Sequence, residues 1–340
     1  MSRYILIGAG AIGASLAAQF ELNGIPYALF GRGEQIRHIR AQGIEYVRPE
    51  GVRTVHLKAC SAFSEVGLTQ DDVLVFTTKT QDVEAVCKAW AWQPVQGAGR
   101  ARTASELPVV TLQNGMAAER IALRWFSQVY GASINTPARF TQVGHIVVGG
   151  YPEVGLVVMG RYPQGEGALA AAMVADLCEA GYLAEAHADI VRWKAAKLVS
   201  SVRNALDVFD GPAERIHAFG VQLAQEAKSV LSAQGIEPAR AHERQHRVAH
   251  WGVAPGSGIE PGQQSTWQSI ARGVPNEVDY LNGEIVQQGR LHALATPFNE
   301  AIQRAVGQLT QSRRAPQDGC LGHIDDLWRA VQELSAAPVA

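Results

Sequence analysis

Tyr4-Ile5-Leu6-Ile7-Gly8-Ala9-Gly10-Ala11-Ile12-Gly13 decides the fold. A short apolar run ends in glycines spaced G-x-G-x-x-G, and a small-residue helical pattern follows as far as Leu22, where Asn23-Gly24 stops it. Strand, glycine turn and helix in that order open a dinucleotide-binding βαβ unit. Gly8 permits the tight turn, Gly10 lets the backbone approach a pyrophosphate, and Gly13 lets the helix pack on the strand. The helix's first amides then face the phosphates. The run Gly8, Ala9, Gly10, Ala11, Ile12, Gly13 is therefore expected to hold a nicotinamide dinucleotide. The bland alternative is a helix packed through small residues, and the position of the motif between strand and helix argues against it.

The next strand, Pro26 to Phe30, leads into Gly31-Arg32. An NAD site places an acid about 20 residues beyond the glycines, to hold the ribose 2′-hydroxyl. A cation stands there instead. The Arg32 guanidinium can pair with a 2′-phosphate through charge-assisted hydrogen bonds, which points to NADP, that is NADPH as reductant. Glu34, two residues on, keeps NAD open, and an ordinary solvated arginine is the other reading.

Further apolar runs at Val73 to Phe76 and Val109 to Leu112 alternate with helical patterns such as Asp82 to Trp92, which predicts a parallel sheet with helices on both faces. Ile44 to Val47 and Val52 to Leu57 flank Pro49-Glu50-Gly51 and read as a hairpin decorating that sheet. Gln93 to Pro108 lacks periodicity and reads as a surface loop. Strand-like runs continue at Gly144 to Val148 and Gly155 to Met159. From Ala188 onward only helices are expected, over about Ile190 to Phe209, Glu214 to Gln234, Pro238 to Trp251, Ser265 to Arg272, Asn276 to Gln288 and Pro297 to Gln311. The expected fold is α/β, with an N-terminal Rossmann-type parallel-sheet domain over residues 1–187 followed by an all-helical C-terminal domain over 188–340. The crevice between the two halves is the natural place for a site.

Composition excludes several classes. The chain has 340 residues, 47 % of them hydrophobic and 18 % charged, which fits two globular domains rather than a disordered protein. A formal charge of -2 supplies no field for nucleic acid or an anionic membrane. Cys60, Cys87, Cys178 and Cys320 are scattered without a CxxC pair, so neither a disulfide framework nor a zinc site is expected. The apolar start carries one preceding arginine, Arg3, and a glycine spacing that a cleaved leader has no reason to keep. No other apolar stretch reaches the ~20 residues of a membrane span, so a cytoplasmic enzyme is the expectation. Assembly as a homodimer stays open, because no unpaired apolar stripe is identifiable.

Candidate reacting residues lie at strand ends and in the helical half. Thr77-Thr78-Lys79 follows one strand and Gln113-Asn114-Gly115 another, although either could be simple turn chemistry. Lys194, Lys197, Ser201 and Asn204 recur at three- and four-residue spacing on one helical face that carries no acid, which suits a crevice wall better than a solvated face. Ser265 and Glu277 would lie ~18 Å apart on one continuous helix. Gly273 and Pro275 break that helix and put each residue in the first turn of its own, where a carboxylate is favoured, unless both are plain caps. His242, His246 and His250 share one face of the expected helix 238–251 beside Arg244 and Arg247, and a solvated face outweighs a metal site there. Trp90, Trp92 and Trp193 read as core or interface anchors.

Gly8-x-Gly10-x-x-Gly13, Thr78-Lys79, Asn114-Gly115, Lys197-Leu198 with Asn204, Ser265, the run Asn276-Glu277-Val278-Asp279-Tyr280-Leu281-Asn282-Gly283 and Thr296-Pro297-Phe298-Asn299 together resemble the ketopantoate reductase (2-dehydropantoate 2-reductase) family over nearly the whole chain. The resemblance implies a cytoplasmic, NADPH-dependent reductase of pantothenate biosynthesis that turns a 2-keto acid into a 2-hydroxy acid. It implies Lys197 as the proton donor with Glu277 beside it. It also implies that Ser265 and Asn204 hold substrate, that Asn114 positions it beside the nicotinamide, and that Lys79 and Glu277 contact the cofactor. Ser201 stands where the family commonly has a substrate-contacting asparagine. A reductase for another keto acid or an imine, and a non-catalytic NADPH sensor, are the alternatives.

Overall fold

The computed structural model describes residues 2–97, 100–246, 248–311 and 322–336. Cys320 and Arg247 lie outside them. The chain forms two compact units: Met1–Gln113 with Ala118–Val191 and Ala241–Ile259, and Asn114–Ala117 with Arg192–Arg240 and Glu260–Ala340.

The first unit is built on an eight-stranded sheet in the order Leu183–Ala186, Leu156–Arg161, Gln128–Asn135, Pro108–Thr111, Asp72–Phe76, Arg3–Ile7, Tyr27–Phe30, Ala59–Cys60. The six strands from Gln128–Asn135 to Ala59–Cys60 are mutually parallel, and Leu156–Arg161 runs antiparallel to Gln128–Asn135. Alternation along Arg3–Ile7 explains its unbroken apolar sequence. Tyr4 and Leu6 join Leu16 and Phe20 of the helix Ala11–Leu22 on one face, while Ile5 and Ile7 join Val83 and Trp90 on the other. Both faces are covered, so every position needs an apolar side chain. Burial of each contributes about 1.5–3 kcal/mol.

Several expectations need correction. The hairpin Ile44–Arg48 and Gly51–Val55 belongs to a separate four-stranded sheet with His145–Val148 and Ala138–Gln142. Its buried Ile44 and Tyr46 share the core on the helix Ala11–Leu22 while Glu45 faces out, so the hairpin builds a second sheet instead of extending the first. Within Gln93 to Pro108, Pro94–Val95 pairs antiparallel with Arg102–Thr103, and Ala104 and Leu107 are buried, so part of the expected loop is anchored structure. Trp90 is core, packed against Phe30 and Phe63 with ring centroids 4.9 Å away in each case, and Trp193 is buried, whereas Trp92 is 65 % exposed.

The segment 238–251 forms no α-helix among its described residues. It holds one 3-10 turn, Ala241–Glu243, before Gly252–Val253 pairs with Gly150–Tyr151 in the first unit. The buried Glu185 carboxylate accepts the backbone N–H of Gln245 at 2.7 Å and of His246 at 3.4 Å, with Arg244 at 3.5 Å. Those amides are drawn to a side chain instead of into a helical ladder, so His242, His246 and His250 share no helical face.

The second unit is helical: Ala213–Ala233, Ser265–Ala271, Val278–Leu291, Pro297–Gln311, Ile324–Ala336 and most of Ile190–Ser201. It is not purely so, because Phe209–Asp210 pairs with Gly322–His323 in a two-residue ladder. Phe219, Phe298 and Trp328 form its aromatic centre, with ring centroids 5.1–5.5 Å apart. No helix among the described residues is long and apolar enough to cross a membrane.

Candidate active site

The glycine turn is assembled as its spacing predicts. Gly8 has φ +123°, and a Cβ there would stand 2.8 Å from Thr78 N and 2.9 Å from the Thr77 carbonyl carbon. A Cβ on Gly13 would lie 1.8 Å from Gly8 O, so only hydrogen fits where helix meets strand. Around Gly10 the opposite holds: a Cβ would meet nothing within 4 Å. Gly10 precedes the helix Ala11–Leu22 in extended conformation and offers no side-chain cap. A helix start leaves its first amides without intrahelical partners, and open space lies over this one. Thr78 Oγ1 adds a buried hydroxyl with no hydrogen-bond partner among the described residues. An unsatisfied buried hydroxyl costs about 1–3 kcal/mol, which a ligand acceptor would relieve. Open cradle, uncapped amides and orphaned hydroxyl fit a pyrophosphate.

Arg32 is exposed and extended immediately before the helix Gly33–Gln42. It lies close to the turn in the chain's path, because Gly8 N–H donates to Phe30 O at 2.9 Å and a Cβ on the intervening Gly31 would stand 2.9 Å from Ala9 Cβ. Lys79 follows Thr78 directly, in extended conformation ahead of the turn Thr80–Asp82.

The remaining predicted residues, Asn114, Lys197, Ser201, Asn204, Ser265 and Glu277, all belong to the second unit. Lys194, Lys197 and Ser201 do share the helix Ile190–Ser201, but the α-helix ends there and Asn204 opens a 3-10 turn that runs to Val208. The helix Ser265–Ala271 packs on that turn. Asp207 fixes its start by accepting the N–H of Gln264 at 2.9 Å, and burial pushes the Asp207 carboxyl up against the opposing effect of that bond.

Glu277 immediately precedes the helix Val278–Leu291 and makes no side-chain capping bond; Asn276 Oδ1 caps instead, accepting the Val278 N–H at 3.0 Å. Ser265 likewise leaves its helix uncapped by any side chain of the preceding residue. The turn at Asn114-Gly115 lies against the same region, since Gly115 has φ +78° and a Cβ there would stand 2.5 Å from Tyr280 O.

Electrostatics join these elements. Lys194 is only 3 % exposed and Glu277 4 %, while Ser201 and Asn204 are buried, so the lysine face is not a solvated one. Lys197 keeps some surface exposure yet is densely surrounded by protein atoms. Burial lowers its pKa, the Lys194 charge lowers it further and Glu277 opposes both, which together leave it at about 8. A lysine so placed exchanges its proton near neutral pH, which suits a general acid.

Sequence reasoning left two contributors without a role. Lys194 was visible as a second lysine one turn from Lys197, but its burial was not. Asp207 carried no signal, because a turn capping a helix more than fifty residues later leaves no local pattern.

The sequence pattern of the family described as Ketopantoate reductase PanE/ApbA matches residues 4–164, and that of its C-terminal part matches residues 201–310. A 2-dehydropantoate 2-reductase of Archaeoglobus fulgidus is 27 % identical over 315 residues, covering 90 % of this chain and 97 % of that protein. A PanE/ApbA family ketopantoate reductase from Ralstonia eutropha superposes with a TM-score of 0.72 at 23 % identity, covering 92 % of this chain and 99 % of that one. A D-mandelate dehydrogenase in complex with NADH superposes at 0.70 with 19 % identity, covering 91 % and 99 %.

Proposed function

We propose, from the fact that this chain belongs to the ketopantoate reductase family, that it reduces 2-dehydropantoate to pantoate with NADPH. As a member it is an oxidoreductase acting on a CH-OH group with a nicotinamide cofactor. The observation that carries the reading is the buried, acid-poor lysine face on which Lys197, held to a pKa of about 8, is acted on by Glu277.

When bound, a dihydronicotinamide would supply the hydride that the ketone carbon takes up. The carbonyl oxygen then gains negative charge, and the Lys197 ammonium donates a proton to it, giving the alcohol and a neutral amine that recovers its proton from solvent. Glu277 keeps a larger share of Lys197 protonated. Ser265 and Asn204 hold the substrate carboxylate and hydroxyl through neutral donors, Ser201 contributes its hydroxyl, and Asn114 orients the ketone. Gly8 to Gly13 bind the pyrophosphate, Arg32 pairs with the 2′-phosphate, and Lys79 and Glu277 contact the cofactor.

One observation favours a second reading within the same chemistry. Ser201 is buried and shorter than asparagine, which leaves room for a bulkier 2-keto acid. A panel of 2-keto acids assayed with NADPH and NADH tests both. Oxidation of NADPH that depends on 2-dehydropantoate supports the first reading, and a preference for a bulkier keto acid supports the second. Tight NADPH binding without oxidation by any of them contradicts both and leaves a nucleotide sensor.

A further inference from the structure

A chain of buried hydrogen bonds runs through the second unit beside the lysine helix. Asn282 Nδ2 donates to Val202 O at 2.8 Å and to Asn299 Oδ1 at 3.0 Å. Asn299 Nδ2 in turn donates to Glu226 Oε2 at 2.7 Å and to Leu223 O at 3.2 Å. The Glu226 carboxylate also accepts the N–H groups of Phe298 and Asn299, both at 2.9 Å, and so caps the helix Pro297–Gln311. Asn282 is 1 % exposed and Asn299 is fully buried.

Packing alone does not call for this chemistry. Asparagine is a mediocre helix former, and its buried amide costs free energy unless paired, so an aliphatic side chain of similar size would fill the space more readily. A fully paired polar network does what an apolar contact cannot, which is to fix one relative placement of the elements that carry it. The elements here are those that carry the reacting pair. Val202 lies five residues beyond Lys197, just past the end of its helix, and Asn282 lies five residues beyond Glu277 on the other. Five helical residues span ~7.5 Å, so the clasp sits about equally far from the two charged groups along their helices.

We propose that Asn282 is a positioning residue: by clasping the Val202 carbonyl it sets the register of the Lys197 helix against the Glu277 helix, with Asn299 and Glu226 locking its amide in place. Its catalytic importance rests on the reading of Lys197 and Glu277 given above, but the clasp itself does not.

The test is a double-mutant cycle read on the Lys197 amine, whose titration midpoint is followed by NMR after reductive methylation with isotopically labelled formaldehyde. Lys194 and Glu277 are the charged groups that act on that amine, and Lys194 is left untouched throughout. Glu277→Gln lowers the midpoint in the otherwise unchanged protein, by about 1 pH unit for a nearby charge. In an Asn282→Ala background the same substitution is expected to shift it by less than half as much. Glu226→Gln, which keeps the shape but weakens the lock, is expected to give an intermediate value and serves if Asn282→Ala does not fold.

In turnover, Asn282→Ala is expected to lower kcat about 10-fold or more with KM for NADPH nearly unchanged, since a ~1 Å misplacement of reacting groups can cost 10²-fold. An equal response to Glu277→Gln in the two backgrounds overturns the proposal, as does no response in either. The titration needs no substrate, so a protein inert toward every keto acid would defeat the functional reading and leave this result standing.

Discussion

The glycine turn and the lysine helix solve opposite problems. At Gly8 to Gly13 the proposed cofactor binding rests on absent atoms: one Cβ would strike the Gly8 carbonyl oxygen at 1.8 Å and another would meet nothing within 4 Å, though both replace hydrogen on neighbouring turns of one motif. At Lys197 the proposed chemistry would draw on side chains from 114, 194–204, 265 and 277, and on the burial that, with Lys194 and against Glu277, leaves the lysine at a pKa of about 8. A motif made of backbone is contiguous and survives as a spacing. A motif made of side chains is dispersed and depends on the fold that gathers it.

That contrast can be broken at either end. The largest effect is expected from Lys197→Ala, which should lower turnover about 10²- to 10⁴-fold as for loss of a general acid, with NADPH affinity, measured by fluorescence titration, nearly unchanged. Gly13→Ala should act the other way round: forcing a methyl into the helix–strand contact costs about 1–3 kcal/mol, visible as a lower Tm together with weaker NADPH binding. Gly10→Ala sharpens the comparison, because its open surroundings predict a Tm shift worth no more than about 0.5 kcal/mol, while the methyl stands where a phosphate would approach and weakens NADPH binding. A Gly10→Ala protein that melts early would show that the space is not free. Arg32→Asp should move the NADPH-to-NADH preference about 10-fold or more, since a charge-assisted hydrogen bond is worth roughly 1.5–3 kcal/mol. The smallest effect belongs to Lys194→Met, which removes a repelling charge and should raise the alkaline limb of the pH profile by less than about 1 pH unit.

The same contrast explains what could be read from residues alone. The strand Arg3–Ile7 and its helix were legible because both faces are buried and the periods are short-range. The hairpin 44–55 was legible as a hairpin from Pro49-Glu50-Gly51, but not its sheet, because its partner strand His145–Val148 lies about a hundred residues on. Residues 238–251 looked helical by spacing, and those of them described are not, because the Glu185 carboxylate, far away in sequence, takes the amides of Gln245 and His246. In the site, the three-and-four spacing found Lys194, Lys197 and Ser201, but the helix expected to run to about Phe209 ends at Ser201, and a 3-10 turn begins at Asn204. Glu277 and Ser265 were placed at helix starts by Gly273 and Pro275, and both stand there. Their joint role with Lys197 came from resemblance, since no local period links residues eighty positions apart.

The dependence of kcat/KM on pH, measured by keto-acid-dependent NADPH oxidation, bears most directly on the role given to Lys197. The proton donor is the ammonium form, so the rate should hold steady on the acid side of its pKa and fall about 10-fold per pH unit above it, with a midpoint near the value of about 8 set by burial and Lys194 against Glu277. A rate that stays level well beyond that midpoint, into the range of an ordinary solvated lysine, would contradict that role and leave the buried ammonium as a structural charge.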